Sequence, residues 1–165
     1  MPAHEPNNQR SLTIQLLRTR EAMMDHFRPL LQSLNVTEAQ WRVLRSLYPD
    51  RTMNASELAH DAAILPSSLT RILKKLEGDG MLEVHRGQND RRQANIRLSK
   101  KGLTFLQNAL PESRRIYDQM RHAIGQVRMD YLFELLAETA ELCETLDTGN
   151  KATSATSRDP DPEDE

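Results

Sequence analysis

The sequence predicts a mainly α-helical fold that carries one small β-hairpin. Apolar residues recur at helical spacing through most of the 165-residue chain. Alternation with period 2 is confined to two short runs, residues 82–84 and 94–98, on either side of a polar tip. The length allows one domain with a core, or a small domain with added association helices.

Each of the first four expected helices begins at a residue suited to a helix N-terminus. A side-chain oxygen there can accept a hydrogen bond from a free backbone amide, and proline has no amide hydrogen to lose in the first turn. Thr37 and Asn54 are followed three residues later by Gln or Glu, which is the capping-box pattern. Gly80 suits the end of the fourth helix. The four starting residues are Ser11, Thr37, Asn54 and Pro66.

After the hairpin, Ser99 can cap a long helix in which Pro111 should cause a bend. A last helix is expected at about residues 128–146. The long helix has a heptad-like stripe formed by Leu103, Leu106, Leu110, Ser113, Tyr117, Met120, Ile124 and Val127. A short helix, a turn, a second helix and a hairpin together predict a winged helix-turn-helix.

The winged helix-turn-helix DNA-binding domain is expected to lie between two helical association segments. The C-terminal residues are rich in Gly, Ser, Thr, Pro and acids, a composition typical of disorder. The expected segments are a flexible arm at 1–10, a dimerisation helix at 11–34, the winged domain at 35–101, dimerisation helices at 102–147 and an acidic tail at 148–165.

Charge is distributed unevenly along the chain, although the formal net charge is only -2. Residues 66–102 hold nine Lys or Arg and four acids, whereas residues 147–165 hold six acids and two bases. A basic segment of this kind indicates a nucleic-acid partner. Aromatic residues make up only 4%, which leaves little for stacking on single strands, so double-stranded DNA is the expected partner.

The fourth helix and the hairpin tip carry the expected DNA contacts. The polar face of that helix has no acid before Glu77, and such a helix fits the major groove. Arginines at the tip suit the minor groove or its phosphates, with Asp90 orienting one of them. A solvated helix face and a salt-bridged surface turn are the alternative interpretations. The candidate residues are Ser67, Thr70, Arg71, Lys74, Arg86, Asn89, Asp90, Arg91 and Arg92.

Two stretches of this region carry a family resemblance: ELAHDAAILPSSLTRILKKLEGDGML, and the Asp90-Arg91-Arg92 tip followed by IRLSKKG. With their flanking helices, over about residues 11–146, they resemble the MarR family of bacterial transcription regulators. The stretches LLRTREAMMDHFRPLL, LNVTEAQWRVLRSL and LPSSLTRIL are more narrowly similar to members that control homoprotocatechuate or 4-hydroxyphenylacetate catabolism. Ser99 departs mildly from the pattern, because the family usually has Thr there.

The resemblance implies a homodimer held by its terminal helices, which represses by binding a palindromic, inverted-repeat operator. It implies release when a small aromatic carboxylate binds between the two domains. It also places the family's wing arginine and aspartate on Arg92 and Asp90, and the recognition-helix contacts on Ser67, Ser68, Thr70 and Arg71. Family members that sense peroxide have a cysteine near the start of the first helix, where this chain reads SLTIQLL. Cys143 lies among leucines and is interpreted as apolar filler, so oxidant sensing is not expected.

An aromatic carboxylate effector needs a cation and an apolar wall. Arg18 is the expected carboxylate partner, because a charge inside a mostly apolar helix face needs a reason. His26 and Trp41 could equally be ordinary surface or core residues, and exposed arginines would give the same pattern. The candidate effector-binding residues are Arg18, His26, Trp41 and Arg45, with Arg20 and Arg42 nearby.

Enzyme chemistry has little support in the sequence. There is no Cys/His ligand spacing, no Gly-rich phosphate loop and no nucleophile elbow, so no cofactor or metal is expected. A winged-helix adaptor for protein contacts and a regulator that answers a different ligand stay open as alternatives. One cysteine, no recognisable leader and no apolar run of about 18 residues predict a cytoplasmic protein without a membrane partner.

Overall fold

The computed structural model describes residues 11–86 and 94–147, which form six α-helices and one hairpin. Their bounds are α1 Leu12–Ser33, α2 Glu38–Ser46, α3 Ala55–Asp61, α4 Pro66–Gly78, β1 Leu82–Arg86, β2 Ala94–Leu98, α5 Lys100–Ile124 and α6 Gln126–Asp147. The predicted fold class and order of elements are confirmed, since α3, α4 and the hairpin make a winged helix-turn-helix. The chain divides between Asp118 and Gln119 into two compact units.

The core of the first unit is built around α2. Val43, Leu44 and Leu47 are fully buried there. They belong to one cluster with apolar side chains from α1, α3, α4, both strands and the first part of α5. The other members include Leu31, Leu58, Leu69, Leu76, Leu82, Ile96 and Leu106. The winged domain and the start of α5 therefore share a single apolar core, whose removal from water is the main stabilising contribution.

Of the side-chain caps predicted for α1, α2 and α3, two are present and one is absent. Thr37 accepts from the Gln40 amide at 3.2 Å while the Gln40 side chain accepts from the Thr37 amide at 2.8 Å. Asn54 and Glu57 form the same reciprocal pair at the start of α3. Ser11 occupies the N-cap position of α1, but its hydroxyl bonds to another side chain and not to a backbone amide. The predicted side-chain cap at α1 is therefore wrong.

The hairpin is tied to the segment between α2 and α3. Its strands are antiparallel, with Leu82 opposite Leu98 and Arg86 opposite Ala94. Met53 pairs with Ile96 in an isolated bridge, donating to its carbonyl at 3.0 Å and accepting from its amide at 2.8 Å. This bridge, which the sequence does not predict, fixes the base of the wing against the helix-turn-helix.

The start of α5 packs closely against the end of the α4 region. Ser99 accepts a hydrogen bond from the Gly102 amide at 3.0 Å, which confirms the predicted cap, and donates one to the Gly80 carbonyl at 2.6 Å. A side chain at Gly102 would place its Cβ 2.1 Å from the Met81 carbonyl oxygen. Only glycine therefore fits at this position, and the close approach fixes the hairpin base relative to α5.

The second unit holds the end of α5 and all of α6. Gly125 separates the two helices with a φ of +91°, a left-handed conformation that favours glycine. Val127 therefore belongs to α6 and is 82% exposed, so its predicted place in the α5 stripe is wrong. The described part of α6 also exposes Tyr131, Phe133, Leu135, Leu136, Leu142 and Leu146.

Candidate nucleic-acid interface and neighbouring cavity

Helix α4 has one buried face and one exposed polar face. Leu69 and Leu76 are buried in the core, with Ile72 and Leu73 partly buried beside them. Within the described residues, no acid pairs with Arg71 or Lys74, whereas the neighbouring Lys75 binds Asp79 at 2.7 Å. The five predicted contact residues of this helix are all exposed, namely Ser67, Ser68, Thr70, Arg71 and Lys74.

An open groove runs between the start of α2 and the exposed face of α4. Its lining combines hydroxyl groups, an amide and two cations, which are the donors that proteins use on nucleic-acid phosphates. Thr37, Gln40 and Lys75 were not among the predicted contacts, because the capping box already accounts for the first two. No sequence signal brings the start of α2 beside α4. The groove is lined by Thr37, Gln40, Ser67, Ser68, Arg71, Ile72 and Lys75.

The wing is described only in its strands. Arg86 is the last residue of β1, and the predicted tip contacts Asn89, Asp90, Arg91 and Arg92 lie outside the described residues. In the stem, Arg97 donates two hydrogen bonds to Glu83, at 2.6 and 2.9 Å. These bonds hold the pKa of the Glu83 carboxyl below its usual range. Arg97 and Glu83 therefore offset each other's charge.

A cavity of about 220 Å³ lies beside α2, within the first unit. Three lining residues belong to α1 and four belong to α2. Within each helix they follow the three- and four-residue spacing of side chains that share one helix face. The rings of Phe27 and Tyr117 are tilted against each other, with centroids 4.8 Å apart. The lining consists of Arg20, Met24, Phe27, Glu38, Trp41, Arg42, Arg45 and Tyr117.

Two of the four predicted effector-binding residues line this cavity. Trp41 and Arg45 do so, whereas Arg18 and His26 are exposed on α1 and are not among the lining residues. Arg18 lies two positions before Arg20, which is about 200° around the helix. The predictions for Arg18 and His26 therefore gain no support from the cavity.

The charges that line the cavity are only partly paired. Arg20 binds Glu38 and Glu21, each at 2.5 Å. Arg28, just outside the cavity, also binds Glu21 and Glu38, and it holds the pKa of Glu21 below its usual range. Glu38 is the only acid among the lining residues, and it is already bound to arginine.

The two remaining guanidinium groups have no carboxylate partner among the described residues. Arg42 donates to the carbonyl of Ala63 at 3.1 Å, and its buried Nε has no partner in that part of the chain. Arg45 lies over the Tyr48 ring, 6.0 Å from its centroid. A cavity with aromatic walls and two cations free of carboxylates suits a small aromatic anion.

Two further properties of the described residues bear on other functions. Within residues 11–86 and 94–147, His, Cys, Asp and Glu side chains form no group of three or more that could hold a metal ion. In the same ranges, every helix is too short or too polar to cross a membrane.

A helix, a tight turn, a second helix with a polar outer face and a two-stranded wing define a winged helix-turn-helix transcription regulator. The sequence profile of the MarR family matches residues 36–94. The chain belongs to the MarR family, as its similarity to curated family relatives along most of their length also shows.

The relatives are transcription regulators and not enzymes. The HTH-type transcriptional regulator FarR of Neisseria gonorrhoeae is 36% identical over 138 residues, covering 84% of this chain and 94% of the relative. The homoprotocatechuate degradative operon repressor of Escherichia coli is 39% identical over 128 residues, covering 78% of this chain and 86% of the relative.

Two similar proteins have been solved with a molecule bound to them. NadR in complex with 4-hydroxyphenylacetate is 34% identical, with a TM-score of 0.73, and covers 82% of this chain and 99% of its own. The repressor CouR bound to a 23-mer DNA duplex is 26% identical, with a TM-score of 0.71, and covers 85% of this chain and 99% of its own.

Proposed function

We propose that this protein is a homodimeric repressor of an aromatic-acid catabolic operon, released from its operator by a single-ring aromatic carboxylate. The observation that carries the proposal is the position of α2, which borders both surfaces. Thr37, which caps the helix, and Gln40 line the groove beside α4. Another face of the same helix lines the cavity, with Glu38, Trp41, Arg42 and Arg45. A ligand in the cavity therefore touches the same helix that supports the DNA-facing surface.

DNA binding is proposed to use α4 in the major groove and the wing in the adjacent minor groove. Arg71 is the proposed base contact, because arginine can bind guanine O6 and N7 together. Lys74 and the serine and threonine hydroxyls of α4 would contact phosphates, as would Thr37 and Gln40. Arg86, Asn89, Asp90, Arg91 and Arg92 are the proposed wing residues. The solved structure of CouR bound to a 23-mer DNA duplex supports duplex DNA as the partner.

A homodimer is proposed because large apolar side chains of α1 and α6 are exposed. Leu12, Leu16 and Leu17 are 61%, 40% and 54% exposed on α1. Exposed apolar surface of this extent is typical of association sites. Two recognition helices related by a twofold axis lie about 34 Å apart, one duplex turn, so the operator should be an inverted repeat. The proposed setting is the cytoplasm.

The effector is proposed to be 4-hydroxyphenylacetate, homoprotocatechuate or a close analogue. A dry cavity of about 150 Å³ holds benzene, so 220 Å³ accommodates one ring with a short acidic side chain. Arg45 is the proposed carboxylate anchor, since it has no acid partner in the described chain, and Trp41 and Tyr117 form the ring wall. The bound 4-hydroxyphenylacetate of one relative and the substrate pathway named for another support this choice.

A titration of operator binding tests the proposal. The protein is added to labelled inverted-repeat fragments at two salt concentrations, and 4-hydroxyphenylacetate, homoprotocatechuate or benzoate is then added. We expect tight, salt-sensitive binding that the first two acids reverse. Arg45→Met should require a higher acid concentration, by roughly 10- to 100-fold, because a charge-assisted hydrogen bond is lost. Absence of duplex binding would favour the adaptor, and release only by some other ligand would favour a differently tuned regulator.

A further inference from the structure

We propose that Arg42 couples the cavity to the helix-turn-helix, because a carboxylate in the cavity competes with the Ala63 carbonyl for its guanidinium. This inference rests on the proposed function, since it concerns how the effector reaches the DNA-binding surface. It assigns to Arg42 a positioning role in release, distinct from the role of Arg45 in ligand affinity.

The contacts of Arg42 connect two parts of the winged domain. Its side chain lines the cavity, and its Nη1 donates to the carbonyl oxygen of Ala63 at 3.1 Å, 21 residues further along the chain. Its Nε is buried and has no hydrogen-bond partner in the described chain. A buried donor left without a partner is unfavourable, and this one belongs to a residue that borders a cavity suited to an acid. A rotation of the guanidinium towards a ligand carboxylate would give this donor a partner.

Ala63 lies in the turn of the helix-turn-helix. Its φ is +49°, in the left-handed region that residues other than glycine adopt only at an energetic penalty. Its amide bonds to the His60 carbonyl at 3.0 Å, and the Ile64 amide bonds to the Ala59 carbonyl at 2.9 Å. The bond from Arg42 is a further restraint on this strained turn, and it comes from outside α3 and α4. The turn sets the angle at which α4 leaves α3.

A carboxylate is a stronger acceptor for a guanidinium than a neutral carbonyl is. A ligand carboxylate that is held by Arg45 and also accepts from Arg42 draws the Arg42 guanidinium away from Ala63. The turn then loses its restraint, and α4 shifts relative to α3. Because binding free energies are coupled reciprocally, operator binding must lower the affinity for the ligand by the same factor.

Arg45 provides the matched control. It lies three positions after Arg42, on the same face of α2, and also lines the cavity. Its described contact is with Tyr48, which is not part of the turn. Replacing Arg45 should therefore change how much ligand is needed, and replacing Arg42 should change how far the operator affinity falls once ligand is saturating.

The experiment measures the operator dissociation constant of the full-length protein at increasing 4-hydroxyphenylacetate until it no longer changes. The ratio of the plateau to the ligand-free value is the coupling. Each variant supplies its own reference, so an altered starting affinity does not affect the ratio. Trp41 is the only tryptophan in the chain and lines the cavity, so its fluorescence reports ligand binding separately. Wild type, Arg42→Met, Arg42→Lys and Arg45→Met are compared.

We expect a wild-type ratio in the range of about 5 to 150, the usual size of such couplings. Both Arg42 variants should saturate with ligand by Trp41 fluorescence but give a ratio close to unity. Arg42→Lys keeps the charge but lacks the planar guanidinium and its Nε donor, so its failure would separate hydrogen bonding from charge. Arg45→Met should reach the wild-type ratio at higher ligand concentration.

Wild-type ratios in both Arg42 variants would overturn the inference while leaving the proposed function standing. The inference also fails if Arg45→Met lowers the ratio as much as Arg42→Met does. A wild-type protein that binds the operator but ignores every saturating aromatic acid would overturn the proposed function, and this inference with it.

Discussion

The exposed face of α4 and the cavity beside α2 both carry cations, but they hold them differently. Arg71 and Lys74 are exposed to solvent and meet no acid in the described chain, so their field extends outward. In the cavity of about 220 Å³, Arg20 is held by Glu38, and Arg42 and Arg45 share the lining with aromatic residues. The first arrangement suits a polyanion attracted over a distance, and the second selects one small anion by shape and desolvation.

Raising the salt concentration should give the largest difference between the two regions, because it should lower the affinity for DNA far more than the affinity for the small acid. A protein that makes 6–10 phosphate contacts loses roughly 10³- to 10⁵-fold in DNA affinity between 50 and 200 mM salt, because counterions compete. The affinity for 4-hydroxyphenylacetate should change only a few-fold, since one partly enclosed charge is weakly screened. Fluorescence anisotropy of labelled operator and Trp41 quenching give the two values. Similar salt slopes for both ligands would break the comparison.

Substitutions on α4 should affect DNA alone, and the two cations should differ from each other. Arg71→Ala should weaken operator binding by about 5- to 150-fold and relax sequence preference, if Arg71 contacts a base. Lys74→Ala should weaken all duplexes alike and reduce the salt slope by about one, as expected for a phosphate contact. Both are read by competition with mutated operators at several salt concentrations. Identical specificity profiles for the two variants would contradict the assignment.

The smallest predicted effect comes from the acid that lines the cavity. Glu38→Gln removes the carboxylate that occupies Arg20 at 2.5 Å, so the affinity for an aromatic acid should rise a few-fold. Glu21→Gln is the control, because Glu21 binds Arg20 and Arg28 but does not line the cavity. Trp41 quenching measures both. An equal rise in affinity in the two variants would show that the position of Glu38 in the cavity lining does not matter.

The features that could be predicted from the sequence are those determined by residues close together along the chain. The capping boxes at Thr37 and Asn54, the proline at the start of α4 and the cap at Ser99 are local signals, and each was confirmed. The two-faced character of α4 follows from helical spacing within a single element. The cap at Ser11 failed because a hydroxyl can bond to a neighbouring side chain instead of a backbone amide.

The cavity could not be predicted in the same way, because three helices build it. Sequence spacing does not show which face of α1 meets α2, so it could not rank Arg18 against Arg20, two positions apart. Tyr117 lies 72 residues beyond Arg45 along the chain and was interpreted only as part of a stripe. The turn at Ala63 and the Met53–Ile96 bridge likewise depend on contacts between distant segments.

The close contact between Gly102 and the Met81 carbonyl has a consequence for how operator preference can diversify. The base of the hairpin contacts α5 so closely that even a methyl group at Gly102 would clash. Arg86 and Ala94 form the strand pair farthest from that contact. The sequence between these two residues can therefore differ among regulators without disturbing the hairpin base, provided that Gly102 is retained.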